Sequence, residues 1–281
     1  MADPASTFER SCAHWSEAKR AEMEAFYQLA GRDYVELARA ADWRAWLAAR
    51  QAEAGERGLR LLDVACGSGK FPEALAAHAG IGQAAVRAVT YDLLDPSAFS
   101  LAEAASVLRP PFAPAARFEC TLQDLPPVDP YDVVWATHAL YALPEAELPG
   151  GLAAFARAMG DEGHGVIAHA TRGSHYLRFD AAFREAFGTE GEPYASAEAV
   201  EAAARAAGLA VRRQILGYEA VSDDDAAVEG YLQRCAFDDT ETLESMTAHP
   251  VTGAYLADCR VAGGWRFAQE VALLWLRPEG G

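Results

Sequence analysis

Asp63-Val64-Ala65-Cys66-Gly67-Ser68-Gly69 places a carboxylate ahead of two glycines split by one serine, directly behind the apolar Leu61-Leu62. Glycine takes backbone conformations closed to other residues, so this composition suits a tight turn from a strand into a helix. Such a turn brings peptide N–H groups and a helix N-terminus to the carboxyl edge of a sheet, where α/β proteins hold charged cofactors. Further carboxylates follow apolar runs: Asp92 after Val89-Thr90-Tyr91, with Asp95 as its rival, and Asp124 after the run over 116–122. A carboxylate accepts two hydrogen bonds from a vicinal diol, which is chemistry for such a position. His138 and His169 lie at the ends of two more apolar runs, and imidazole has the ordinary pKa best suited to taking a proton near neutrality. His175, Tyr176 and Tyr141 follow closely enough to line the same cavity, while Tyr27, Tyr34 and Trp265 offer aromatic walls for flat or cationic groups.

The glycine turn excludes a P-loop, which requires G-x-x-x-x-G-K-[ST]; here Phe71 follows Gly69-Lys70, and Val64 stands at the first glycine. A dinucleotide fingerprint is disfavoured because Pro72 takes the place of the third glycine, the one that lets helix and strand pack closely. Asp223-Asp224-Asp225 is no metal site, since consecutive helical residues do not converge on one point; an acidic first turn of a helix after Ser222 is expected, and no metal. Five cysteines without C-x-x-C spacing argue against a disulfide framework and a zinc site, and fit reduced thiols in cytosol.

A net charge of -17, from 41 acidic and 24 basic residues with no basic cluster, speaks against nucleic acid as a partner. Met1-Ala2-Asp3-Pro4 opens no basic and apolar export signal, and no segment is long and apolar enough to cross a bilayer. A cytoplasmic protein acting on a small molecule is expected, with neither nucleic acid nor membrane as partner and a homo-oligomer left open.

These residues need elements to hold them. Residues 7–55 read as helical, broken at Gly31-Arg32-Asp33 and restarted at Asp42, an N-cap before Trp43-Arg44-Ala45-Trp46-Leu47. From Gly58 strands and helices alternate, the pattern of a mainly parallel sheet. Strands are expected over 59–63, 86–91, 116–122, 131–136 and 166–170. Helices over 71–78, 97–108 and 145–159 lie between them, the last interrupted by Pro149-Gly150-Gly151 so that Leu152 is an alternative start. Helices over 176–187 and 196–207 lead to a sixth strand over 209–221. The expected organisation is a single domain over 1–281: a helical cap over 1–57, a Rossmann-like core over 58–221, a helical insertion over 222–264, and a last strand and tail over 265–281.

Asp63 to Gly69 resembles the first motif of class I S-adenosylmethionine-dependent methyltransferases, [DE]-x-x-x-G-x-G. Tyr131-Asp132-Val133-Val134-Trp135-Ala136-Thr137-His138-Ala139-Leu140-Tyr141 resembles that family's fourth-strand motif. The likeness covers about residues 58–171 and reaches the last two strands by topology. It implies an α/β fold with a Rossmann-like, seven-stranded, mainly parallel sheet whose last strand is antiparallel, and S-adenosyl-L-methionine as cofactor. On this resemblance Asp63, Ala65, Cys66, Gly67 and Gly69 lie against the amino-acid and ribose parts of the cofactor. Asp92 and Leu93 take the ribose, Asp124 and Leu125 the adenine, and Thr137 and the arm's Tyr27 complete the cofactor site. Substrate contacts fall to Tyr34, His138, Tyr141, His169, His175, Tyr176 and Trp265, with His138 and His169 as catalytic bases. The implied activity is methyl transfer to N, O or C of a small molecule in specialised metabolism. The alternative is a cofactor-binding protein of the same fold that transfers no methyl group, acting as a cyclase, a decarboxylase or a noncatalytic partner.

Overall fold

The structure, a computed structural model, describes residues 6–82 and 86–279. Residues 1–5, 83–85 and 280–281 lie outside them, and with them the export reading of Met1-Ala2-Asp3-Pro4 and the end of the tail. Three helices precede the sheet: α1 (Thr7–His14), α2 (Arg20–Arg39) and α3 (Trp43–Ala54). Two of them begin at a side-chain cap: Ser6 and Glu9 form a capping box at α1, and Asp42 accepts from Ala45 N at α3. Alternation follows with β1 (Leu59–Val64), α4 (Lys70–His78), β2 (Val89–Leu94), α5 (Ala98–Val107), β3 (Phe112–Phe118), β4 (Val133–Thr137), α6 (Leu148–Met159) and β5 (His164–Ala170). The chain continues through α7 (His175–Phe187), α8 (Ala197–Ala206), β6 (Leu209–Ser222), α9 (Asp225–Ala236), α10 (Leu243–Ala248), α11 (Pro250–Cys259), β7 (Arg260–Val261) and β8 (Gly264–Pro278).

The strands lie in the order β3-β2-β1-β4-β5-β8-β6. Pairing is parallel from β3 to β5, and β8 runs antiparallel to both β5 and β6. The inner strands are apolar almost throughout because helices cover both faces. Leu61, Val133, Trp135 and Val166 face a core completed by α2 to α5, while Leu62, Val134, Ala136 and Ile167 face α6 and α8. A third cluster joins α2, α7 and α9 to α11 against the ends of β6 and β8. The arm and the insertion therefore meet beside the carboxyl edge of the sheet, where α2 packs on α4, α9 and β6.

Several boundaries differ from the sequence reading. The sheet has an eighth strand, the two-residue β7 pairing with β8. β2 begins at Val89 rather than Val86, because Val89 to Leu94 is the stretch that pairs residue for residue with β1. β3 ends at Phe118, so Asp124 lies in a turn well beyond the strand. No break occurs at Gly31. A helical glycine costs about 1 kcal/mol, and α2 offsets that by burying Met23, Leu29, Ala30 and Leu37 along one face. α6 starts at Leu148, accommodating Pro149 in its first turn. Asp224 caps α9 by accepting from Ala226 N and Ala227 N, and Asp225 lies in its first turn, as the acidic run suggested.

Candidate active site

Three residues of the β1–α4 turn have positive φ: Ala65 at 49°, Gly67 at 51° and Gly69 at 74°. The two glycines do different work. A Cβ at Gly69 would stand 2.6 Å from Val107 Cγ2 and 2.9 Å from Ala104 Cα, so this glycine admits α5 against the start of α4 and stays out of the cavity. A Cβ at Gly67 would meet nothing within 4 Å, and Gly67 lines the cavity. Its N–H donates to Asp95 Oδ2 at 3.0 Å, while Asp95 Oδ1 accepts from Ser97 N at 2.9 Å, which ties the end of β2 to the turn.

A cavity of about 580 Å³ opens from this turn across the carboxyl ends of β1, β2, β4 and β5, under α1, α2 and α9. Of the residues expected at a cofactor, Ala65, Cys66, Gly67, Thr137 and Tyr27 line it, and Asp124 stands on it exposed, accepting from Thr121 Oγ1 at 2.7 Å. Of those expected at a substrate, Tyr34, His138, Tyr141, His169 and Tyr176 line it.

Other expected residues lie elsewhere, each for a visible reason. Asp92 sits two residues before the end of β2, at the irregularity in the β2–β3 pairing. Its Oδ1 accepts from Ala116 N at 2.8 Å and its Oδ2 from the Tyr131 hydroxyl at 2.8 Å. Leu93 points into the core beneath α4 and α5. The acid at the strand end is Asp95, because β2 runs to Leu94, three residues beyond the end expected over 86–91. Asp63 lies beneath the turn and accepts from the Tyr91 hydroxyl at 2.7 Å, and burial pushes its carboxyl up to about 7. Leu125 packs into the cluster around α6. His175 is buried among Phe179, Tyr231 and Phe267, and Trp265 donates to Asp225 Oδ1 at 2.6 Å, so neither lines the cavity.

The two cavity histidines are neutral at pH 7, because burial holds His138 down at about 3 and His169 at about 4. His169 Nε2 donates to Ala195 O at 2.9 Å, which leaves the lone pair on Nδ1, a nitrogen with no hydrogen-bond partner. His138 follows β4 with φ at 52°, anchored by its N–H to Ala168 O at 2.8 Å, and its Nε2 has no partner.

Two buried charged groups of the cavity wall escaped the sequence reading. Asp33 on α2 accepts from Tyr176 at 2.6 Å and from Tyr218 at 2.9 Å, and burial raises its carboxyl to about 7. Arg234 on α9 donates Nη1–H to His14 O at 2.7 Å and lies 5.4 Å from the Trp15 ring centre; its Nε and Nη2 have no partner. Each had left a signal, a charge set on an otherwise apolar helix face: Leu29, Ala30, Asp33, Leu37 and Tyr231, Leu232, Arg234, Cys235. Among the described residues no group of three His, Cys, Asp or Glu is arranged to hold a metal ion, and no helix is long and apolar enough to cross a membrane.

Residues 34–214 match the family described as a methyltransferase domain, which is more than half of the chain. The chain belongs to the class I S-adenosylmethionine-dependent methyltransferase superfamily. Two solved structures agree with this methyltransferase fold. A Bacillus halodurans C-125 protein assigned as a methyltransferase is 13% identical with a TM-score of 0.54, covering 82% of this chain and 97% of its own. The YcgJ protein of Bacillus subtilis is 15% identical with a TM-score of 0.51, covering 84% of this chain and 100% of its own. At these identities the likeness concerns the fold alone. No curated protein sequence matches the methyltransferase chain.

Proposed function

We propose that the chain binds S-adenosyl-L-methionine at the carboxyl edge of its sheet and transfers the methyl group to nitrogen, oxygen or carbon of a small molecule in specialised metabolism. One continuous cavity supports this, running from the β1–α4 turn and Asp95 to His138, His169 and Tyr176. Its volume of about 580 Å³ lies in the range of small-molecule sites.

The residues fit such a cofactor. The open space over Gly67 leaves its backbone free for close approach, and without a pyrophosphate no third glycine is required. A carboxylate offers about four acceptor positions; Gly67, Ser97 and Ser100 use three at Asp95, leaving capacity for a ribose hydroxyl. Ala65, Cys66 and Gly67 would hold the amino-acid part, Asp124 the adenine edge, and Thr137 and Tyr27 the remaining sides. Asp63 would act from below, positioning the turn. Bound there, the cofactor supplies a methyl group already activated on a sulfonium.

The chain's own contribution is to align the acceptor and exclude water, an effect worth on the order of 7–11 kcal/mol in the best cases. The aromatic cover from α1 and α2, including Trp15, Phe26 and Tyr27, suits water exclusion. Where the acceptor must lose a proton, His169 Nδ1 has a free lone pair and His138 Nε2 has no partner, but at about 4 and 3 the two rings hold a proton weakly. Asp33, at about 7, is matched to neutral pH.

Calorimetric titration with S-adenosylhomocysteine and with NAD(H) tests the proposal. Binding of the former alone is expected; tight NAD(H) binding with no response to S-adenosylhomocysteine would sink it. Labelled methyl on a product separates transfer from the alternative of a fold that binds the cofactor without transferring.

A further inference from the structure

We propose that the acceptor is an organic cation, an amine presented as its ammonium, held at the tyrosine-walled end of the cavity by the buried Asp33 carboxylate. This assignment rests on the cofactor site proposed above and narrows its acceptor from N, O or C to nitrogen; the bound ammonium passes one N–H proton to the Asp33 carboxylate, which frees the nitrogen lone pair for the methyl group.

Asp33 is 3% exposed, lines the cavity and receives two hydroxyl hydrogen bonds, from Tyr176 and Tyr218. Hydroxyl donors spread the charge of a carboxylate without cancelling it. The titratable groups near Asp33 are Tyr27 and Tyr34 on its own helix, Tyr176 on α7, Tyr218 on β6, and Tyr231 and Cys235 on α9; none carries a positive charge. The adjacent Arg32 turns to Glu36 at 2.6 Å instead, and among the described residues Asp33 enters no ion pair. Without a counter-charge, burial raises this carboxyl to about 7, and a cationic ligand in the cavity it lines is the partner that would hold it ionised.

The walls at this end suit the same ligand. Tyr34 and Tyr176 are half-buried, border the cavity and pack edge-on to the neutral His138, with ring centres 5.8 and 6.4 Å away. Tyrosine faces attract cations through the negative centre of the ring. Tyr27 already demonstrates this, with Lys70 Nζ 5.2 Å from its ring centre. Arg234 is the counter-argument, a buried guanidinium that would favour an anion. Its unpartnered Nε and Nη2 are covered by protein, however, and its guanidinium is engaged with His14 O and the Trp15 ring.

Benzylamine, benzyl alcohol and benzoate differ in charge at nearly constant shape, and their binding to the full chain saturated with S-adenosylhomocysteine decides the matter by calorimetry. The wild type is expected to bind benzylamine about tenfold more tightly than benzyl alcohol, with benzoate weakest. Asp33→Asn is expected to erase that preference while leaving S-adenosylhomocysteine affinity unchanged. Equal binding of the three probes, no binding of any, or a preference for benzoate overturns the proposal, the last pointing to Arg234. So does an amine preference that survives Asp33→Asn. The wild-type series decides alone should that variant not fold. If Asp33→Asn instead lowers the affinity for S-adenosylmethionine relative to S-adenosylhomocysteine, the carboxylate serves the sulfonium and not the acceptor. A wild type that fails to bind S-adenosylhomocysteine refutes the cofactor proposal instead, a result distinct from all of these.

Discussion

Gly67 and Gly69 are one residue type put to opposite uses two positions apart. At Gly67 the missing side chain leaves open cavity, and at Gly69 it leaves room for α5. Gly67→Ala is therefore expected to lower S-adenosylhomocysteine affinity about tenfold or more, with only the cost of a left-handed alanine, about 1–2 kcal/mol, in stability. Gly69→Ala adds a backbone clash with Ala104 to the same strain and is expected to cost more, up to about 3 kcal/mol beyond it. Thermal melts read alongside calorimetry separate the two. Asp92 and Asp95 form a second such pair. Asp92→Ala leaves Ala116 N and the buried Tyr131 hydroxyl without an acceptor, costing about 1–3 kcal/mol, and is expected to spare affinity in the folded protein. Asp95→Ala is expected to weaken S-adenosylhomocysteine binding; unchanged affinity would show that the acid at the end of β2 does not read the cofactor.

Helix α1 owes its place to a few polar ties. Arg10 donates to Ala236 O, to Phe237 O at 2.9 Å and to Glu190 O at 2.8 Å, and Thr7 Oγ1 donates to Glu192 O at 2.5 Å. One arginine thus fastens the arm to the end of α9 and to the loop after α7, closing the cavity over Trp15. Arg10→Ala is expected to raise amide exchange throughout α1 with little change in β1 or β4, because helix opening is local where few apolar contacts hold it. Its cap contributes as well: Ser6→Ala should cost about 1 kcal/mol of local stability. Protection in α1 unchanged by Arg10→Ala would mean that packing around Trp15, rather than the polar ties, seats the arm.

Buried titratable groups set opposing demands on the whole fold as pH changes. His138, His169 and His175, held at about 3, 4 and 3, are neutral in the folded chain and protonate more readily unfolded. Their contribution is complete above about pH 6.5 and is lost as pH falls toward about 3 to 4. Asp33 and Asp63, raised to about 7, act in the reverse sense: the stability they confer is full below about pH 4 and is lost as pH rises through about 7. The unliganded protein is expected to be most stable between about pH 6 and 7, and to lose stability on both sides. At pH 8 Asp33→Asn is expected to melt higher than the wild type, since each pKa unit corresponds to about 1.4 kcal/mol and the amide escapes the cost of a buried charge. A lower melting temperature would show that the two tyrosine hydrogen bonds outweigh that cost.

The alternation of apolar runs with turn residues determined the order of strands and helices, because burial on both faces of a parallel sheet demands such runs and caps such as Asp42, Ser97 and Ser196 mark helix starts. The turn from Asp63 to Gly69 was legible for the same local reason. Pairing register was not local. Only the alignment of Val89 to Leu94 with β1 fixed where β2 ends, and hence that Asp95 and not Asp92 meets Gly67 N. Asp33 could be seen in the sequence only as a charge on an apolar face. Its partners lie 143 and 185 positions away in Tyr176 and Tyr218, and the packing of α2 against α7 and β6 alone brings them to one point. Local free energy is written in neighbouring residues; a cavity is enclosed by elements distant in sequence, and its chemistry exists only once they have packed.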